Sequence, residues 1–94
     1  MTDESRRKEM EAQVDRVAAE IKKLKAEADK AGAETRAKMQ EEIRKLEAQE
    51  DAARDSMRKM REAGSSAFED MMSGAEKAWK SLADSVEKAR KRFR

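Results

Sequence analysis

The side chains of this chain with the greatest capacity for chemistry are carboxylates, since it contains 21 aspartates and glutamates but no histidine and no cysteine. Two pairs are adjacent, Glu41 with Glu42 and Glu69 with Asp70. Paired carboxylates act as general acid and base where an apolar pocket separates their pKa values, and the sequence predicts no such pocket. It also lacks nucleophile–base pairs, glycine-rich phosphate loops and His/Cys/Asp ligand clusters. We therefore expect no enzyme activity and no cofactor.

Methionine is the second candidate for chemistry, because the chain contains seven. Met57 and Met60 precede a glycine–serine segment, and Met71 and Met72 follow it. If the chain folds back at this segment, three or four thioethers lie close together, which is the soft ligand set that selects Cu(I). Methionine also fills irregular gaps between packed helices. We favour this packing role and keep Cu(I) binding as an alternative.

A basic tail ends the sequence. Residues 85–94 contain one acid and five cations, whereas the whole chain carries a net charge of +2. Such a tail can contact phosphates or an anionic membrane, or it can complement the negative end of a helix dipole. Its one aromatic side chain, Phe93, provides no platform for stacked bases, so nucleic acid ranks below the other partners. The five cations are Lys88, Arg90, Lys91, Arg92 and Arg94.

The elements that position these residues are predicted to be helices. The chain is 47% charged and contains no proline and three glycines, and its mean hydropathy is −1.14. This composition is typical of long helices and coiled coils. The sequence has no apolar run long enough for a signal peptide or a membrane span, so we expect a cytoplasmic protein.

Apolar residues near the N-terminus follow a heptad pattern, with alternating steps of three and four residues. Five of them form what we call the N-terminal seam: Met10, Val14, Val17, Ile21 and Leu24. The pattern resumes from Met39 to Met60, and between the two stretches Gly32 costs about 1 kcal/mol relative to alanine in a helix. The pattern predicts one helix over residues 3–63, about 90 Å long.

Residues 64–66, Gly-Ser-Ser, are predicted to end this helix and begin a second one over 66–93. Gly64 suits a helix C-terminus, and Ser66 with Glu69 forms a capping-box pattern. Apolar residues of the second helix recur with an 11-residue period, which gives a nearly straight stripe. The period runs through Phe68, Met71, Ala75, Trp79, Leu82, Val86, Arg90 and Phe93. We call its large apolar members, together with the neighbouring Met72, the C-terminal stripe: Phe68, Met71, Met72, Trp79, Leu82, Val86 and Phe93.

The C-terminal third of the sequence carries a resemblance to known proteins. Ala78-Trp79-Lys80-Ser81-Leu82 and Val86-Glu87-Lys88-Ala89 resemble the C-terminal segments of small bacterial coiled-coil proteins of unassigned function. The 11-residue repeats of residues 66–94 are also similar to the amphipathic repeats of exchangeable apolipoproteins and synucleins. The bacterial resemblance covers about 30 residues. It implies a helical hairpin or coiled coil and no particular activity.

These patterns together predict an all-α chain, with residues 1–94 forming a single elongated unit as a helical hairpin or coiled coil. The second helix would cover residues 35–63 and leave the N-terminal seam without a partner. We therefore expect a homodimer or higher oligomer, and a non-enzymatic structural or interaction protein that associates with itself. The alternative is a peripheral binder of anionic membranes through residues 66–94. A third possibility is Cu(I) binding or non-specific nucleic-acid binding.

Overall fold

The computed structural model of this chain describes residues 3–62 and 67–93, which form three helices and, within these ranges, no strand. The helices are α1 (Asp3–Lys30), α2 (Ala33–Glu62) and α3 (Phe68–Arg92). They pack side by side in a body of 51 × 19 × 16 Å. Ion pairs of Glu11 with Arg61 and Lys25 with Glu47 show that α1 and α2 run antiparallel. The expected all-α class is confirmed, and its form is a three-helix bundle.

The single helix predicted over residues 3–63 is wrong, because α1 ends at Lys30 and α2 begins at Ala33. The Ala31 N–H donates to the Ala28 carbonyl at 3.1 Å, and the Arg36 N–H donates to the Gly32 carbonyl at 2.8 Å. The break falls at Gly32, where the helix has its lowest local propensity. Folding there lets the N-terminal seam be buried within the chain, which stabilises the bundle by about 25 cal/mol per Å² of apolar surface.

The second predicted boundary lies partly outside the described residues, which exclude Gly64, Ser65 and Ser66 and therefore the proposed capping box. Helix α3 is described from Phe68 rather than residue 66, with Ala67 at the N-cap position and no side-chain cap hydrogen bond. The Glu69 carboxylate instead accepts hydrogen bonds from Arg6 of α1. At the other end, the Phe93 N–H donates to the Ala89 carbonyl. Helix α3 thus ends at Arg92, one residue before the predicted bound.

The core of the bundle contains two apolar clusters, and no polar or charged residue of the described ranges is buried. The first, which we call the aliphatic cluster, comprises Ile21, Leu24, Ala28, Met39, Ile43, Leu46, Ala53, Leu82, Val86 and Ala89. The second, the methionine cluster, comprises Met10, Val14, Met57, Met60, Phe68, Met72 and Ala75. All three helices contribute to both clusters. The core contains few large side chains, since five of its 18 residues are alanine.

Candidate interaction surfaces

The N-terminal seam was expected to lack a partner within the chain, and this expectation is wrong. Met10, Val14, Ile21 and Leu24 are buried, and Val17 is half-buried against the aliphatic cluster. The expectation failed because it treated residues 3–63 as one rigid rod. Once α1 folds back at Gly32, its seam packs against both α2 and α3. The seam is therefore a helix-packing surface that one chain satisfies by itself.

The C-terminal stripe forms the α3 side of the same core. Phe68, Met72, Leu82 and Val86 are buried, and Leu82 has an exposed fraction of 0%. Trp79 and Phe93 are half-buried at the edges of the two clusters. Met71 is 37% exposed, and it is the only large apolar residue exposed within the described ranges. The 11-residue period thus identified most of the packed face of α3. Met71 on the period is exposed, and its neighbour Met72, which lies outside the period, is buried.

Three of the four methionines singled out in the sequence lie together. Met57, Met60 and Met72 belong to the methionine cluster, and Met10 of α1 joins them. Met71 lies outside it, on the surface. Met60 is 1% exposed and is packed among Val14, Phe68 and Ala75. Both the packing role and the Cu(I) alternative predict this grouping, so it does not distinguish them.

Trp79 lines a cleft between α1 and α3. The cleft has a volume of about 220 Å³ and is bounded by Arg6, Gln13 and Met10 on α1 and by Met72 and Glu76 on α3. Lys80 donates a hydrogen bond to the Glu76 carboxylate, which holds the pKa of Glu76 below its ordinary value. Trp79 is therefore half-buried beside the methionine cluster and next to the charged residues that bound the cleft. Its environment makes it a useful reporter of α3 packing.

The basic tail is paired with acids of this chain. Lys88 pairs with Asp84 at 3.0 Å and Lys91 with Glu87 at 4.0 Å along α3. Arg90 reaches Glu20 of α1 at 3.6 Å, and Arg92 donates to the Glu42 carboxylate of α2. Arg94 lies outside the described residues. The tail thus contributes two interhelical ion pairs, while Lys88 and Lys91 remain exposed.

In each of the two adjacent carboxylate pairs, one member is bonded to an arginine of another helix. Glu42 accepts from Arg92 and Glu69 from Arg6, whereas Glu41 and Asp70 lie exposed beside them. Elsewhere on the surface, hydrogen bonds from Arg58 and Lys59 lower the pKa of Asp55. Across residues 3–62 and 67–93, no group of three or more His, Cys, Asp or Glu side chains is arranged to hold a metal ion.

Sequence patterns missed the polar contacts that tie the helices together. Glu11 pairs with Arg61 at 2.6 Å and Asp15 with Arg54 at 3.1 Å, both between α1 and α2. Partners 39 and 50 positions apart leave no local signal in a sequence. The buried alanines Ala18 and Ala89 were also absent from the predicted surfaces. Their spacing was the one available signal, since each lies three or four residues from a larger member of a stripe.

Within the described ranges, no helix combines the length and the apolar character that crossing a lipid bilayer requires. No protein-family model, no curated protein and no solved structure matches the chain.

Proposed function

We propose that this protein is a non-enzymatic helix-packing module that associates with further copies of itself and serves as a spacer or adaptor. The observation that carries the helix-packing part of the proposal is the burial of the apolar stripes. The seam of α1, the face of α2 and most of the stripe of α3 pack against one another. The outer faces carry charges of both signs that form ion pairs along the helices and between them. We expect a second copy to cover the same apolar faces that now pack within one chain.

Support for self-association comes from the small core. Ala18, Ala28, Ala53, Ala75 and Ala89 occupy core positions, so each helix contributes only a few large side chains. Alanines at these positions limit the apolar area that one core buries, and oligomerisation is one way in which a small core gains stability. The ion pairs that hold α1 are exposed, and exposed pairs contribute little each. The burial of its apolar seam is therefore what mainly holds α1 in place, and a second copy can provide the same burial.

Native mass spectrometry of a mixture of isotopically light and heavy chains tests the proposal. The expected result is a mixed species with twice the 10.7 kDa chain mass, in a proportion that rises with protein concentration. Exchange between the two preparations shows that the association is reversible, which distinguishes it from aggregation of one preparation. An unrelated labelled protein of similar mass, added to the same sample, controls for clustering during ionisation. Single chains alone, at every concentration up to the solubility limit, would contradict self-association.

A second candidate function is binding to anionic membrane surfaces through α3. The observation that favours it is the combination of exposed Met71, half-buried Trp79 and Phe93, and exposed Lys88 and Lys91 on one helix. Amphipathic helices with aromatic residues and flanking cations lie in the membrane interface. Because Leu82 is fully covered by the bundle, α3 would have to leave α1 and α2 to bury its stripe in lipid.

Flotation with vesicles of anionic and of neutral lipid tests the second candidate. A membrane binder would float with anionic vesicles, and Lys88→Glu/Lys91→Glu would abolish this, whereas the charge-matched control Lys38→Glu/Lys45→Glu on α2 would not. Equal loss in both variants would indicate an effect of net charge alone. Absence of flotation for the unmodified chain would remove this candidate and leave the helix-packing module.

A further inference from the structure

The connection between α1 and α2 is unusually close to being helical. Only Ala31 and Gly32 separate the two helices. The Arg36 N–H already donates to the Gly32 carbonyl with helical i→i+4 spacing, and the Ala31 N–H donates to Ala28 with the i→i+3 spacing of a tight last turn. No residue in the described ranges has a positive φ, and a Cβ at Gly32 would meet nothing within 4 Å. Few dihedral angles therefore distinguish this bend from a continuous helix.

The buried residues on the two sides of this bend also share one helical repeat. Ala28, the last buried residue of α1, and Met39, the first of α2, are 11 positions apart. Eleven residues make three turns, so both residues lie on one face of a straight helix. The positions between them on that face, Gly32 and Thr35, carry no charge. A continuous helix over residues 3–62 would therefore present the α1 and α2 faces on the same side.

We propose that α1 exchanges between two copies of this chain. Helices α1 and α2 join into one straight helix, and α1 of each chain packs on α2 and α3 of the other copy in a symmetric dimer. This proposal rests on the self-association proposed above and names its partner, a second copy, and its surface, the N-terminal seam. Exchange of an identical element is a low-cost route to a dimer because every contact of the closed chain forms again between chains.

The contacts that α1 makes within the closed chain can form again between two chains. Its apolar side chains and its ion pairs to α2 and α3, such as Asp15 with Arg54 and Glu20 with Arg90, join α1 to other helices and depend little on the bend itself. Straightening adds backbone hydrogen bonds at the joined ends, where helix termini otherwise leave N–H and carbonyl groups unpaired. The joined helix would be about 90 Å long, against a longest dimension of 51 Å for the closed chain. The dimer would thus hold two bundles on a common rod, which suits a spacer.

Two neighbouring surface substitutions should shift the exchange in opposite directions. Gly32→Ala favours the continuous helix, because alanine has the higher helix propensity and the site has room for its methyl group. Ala33→Pro favours the closed chain, because proline suits the first position of a helix and cannot occupy the interior of one. Ala33 is the first residue of α2 and is exposed, and neither substitution contacts the core.

Sedimentation equilibrium gives the dissociation constant of the dimer for each form. Each Gly32→Ala chain should favour the straight helix about fivefold, so a dimer of two such chains should dissociate about 30-fold less readily than the unsubstituted one. The Ala33→Pro chain should remain monomeric. Its circular dichroism and unfolding midpoint in dilute solution report whether it folds. If it does not fold, the Gly32→Ala comparison still decides the proposal.

Energy transfer within one chain reports whether α1 is exchanged. The chain has no cysteine, so Ala12→Cys/Glu62→Cys provides two exposed labelling sites. In the closed chain these sites are near each other, as the 2.6 Å ion pair of Glu11 with Arg61 shows. In a straight helix they are 50 residues and about 75 Å apart. Single molecules of the doubly labelled chain are measured in an excess of unlabelled chain, so that transfer between two labelled copies does not contribute.

High transfer in the monomer and near-zero transfer in the dimer, with more of the low-transfer species for Gly32→Ala, would support the exchange. A dimer with high transfer within each chain would overturn the exchange and leave self-association intact. Monomers throughout, for both the unsubstituted chain and Gly32→Ala, would overturn the exchange and the proposed function together. Equal dissociation constants for Gly32→Ala and Ala33→Pro would also overturn the exchange, because a dimer of closed chains does not depend on the bend.

Discussion

Arg6 and Glu69 are 63 positions apart in the sequence, and their side chains meet at 2.5 Å between α1 and α3. The Arg6 guanidinium also lies 5.6 Å from the centre of the Phe68 ring. Hydrogen bonding to Glu69 raises the pKa of Arg6 above its ordinary value. Together with the pair of Glu20 and Arg90 near the opposite end, this contact fixes α1 parallel to α3.

Replacing Arg6 by alanine tests this contact. We expect Arg6→Ala to lower the midpoint of thermal unfolding measurably but modestly, because the ion pair is exposed and only the contact with Phe68 is partly shielded from water. Arg16→Ala is the matched control, since Arg16 is an exposed arginine of α1 for which the described part of the chain provides no ion pair. Equal midpoints for the two variants would show that the contact adds nothing to stability.

Substitutions of Leu82 test how α3 packs in the core. It is fully covered by α1 and α2, so Leu82→Ala removes transfer free energy and leaves a cavity, which costs about 2–5 kcal/mol of unfolding free energy. Leu82→Met conserves volume and should cost less than about 1.5 kcal/mol. Urea unfolding followed by circular dichroism measures both. A loss below 1 kcal/mol for Leu82→Ala would mean that α3 is not packed as described.

The helices themselves and their apolar faces were predictable from the sequence, because heptad and 11-residue spacings act locally along a chain. The positions of Val14, Ile21, Leu82 and Val86 in the core follow directly from these spacings. The bend at Gly32 was not predictable in the same way. Its local cost in a helix is small, and what decides it is the burial of α1 against α2 and α3, which no local pattern reports.

The interhelical polar contacts could not be predicted from the sequence for a similar reason. Asp15 and Arg54 resemble any other exposed acid and base in the sequence, and only the antiparallel packing brings them together. The methionine cluster was partly predictable. A fold-back near residue 64 correctly placed Met57 and Met60 near Met72, but the rotation of α3 that exposes Met71 depends on the packing of its neighbours.

Substitutions in the methionine cluster distinguish a helix-packing role from metal binding. Met57→Leu/Met60→Leu should change the unfolding free energy by less than about 1.5 kcal/mol per site, because leucine conserves volume and apolar character. Titration with Cu(I) under reducing, anaerobic conditions should leave the unfolding midpoints of the unsubstituted chain and of the variant equally unchanged. Stabilisation of the unsubstituted chain alone would show instead that the thioethers bind the metal.

The pH dependence of stability follows from two lowered carboxyl pKa values. Arg58 and Lys59 lower the pKa of Asp55, and Lys80 lowers that of Glu76. A carboxyl group with a lowered pKa in the folded chain stabilises the fold fully above its unfolded-state value, near pH 4, and loses this contribution as the pH falls through the lowered one. Between about pH 5.5 and 7 stability should be constant, because the chain contains no histidine and no cysteine.

Chemical unfolding at a series of pH values measures this profile. Asp55→Asn/Glu76→Gln should flatten the decline below about pH 4. Asp70→Asn is the control, since Asp70 is exposed and makes no ion pair within the described ranges, and it should retain the decline. A slope between pH 5.5 and 7, or an unchanged decline in the double variant, would contradict the assignment.

The apolar stripe of α3 belongs to a protein interior, and the emission of Trp79 tests this most directly. Trp79 is the only tryptophan, and it lies half-buried beside the methionine cluster, so its emission reports the stripe directly. The measurement is the emission spectrum in buffer and again with anionic vesicles. Helix packing predicts blue-shifted emission in buffer that lipid leaves unchanged. Emission typical of exposed tryptophan in buffer, shifting to the blue only with vesicles, would contradict the claim and favour a membrane-binding helix.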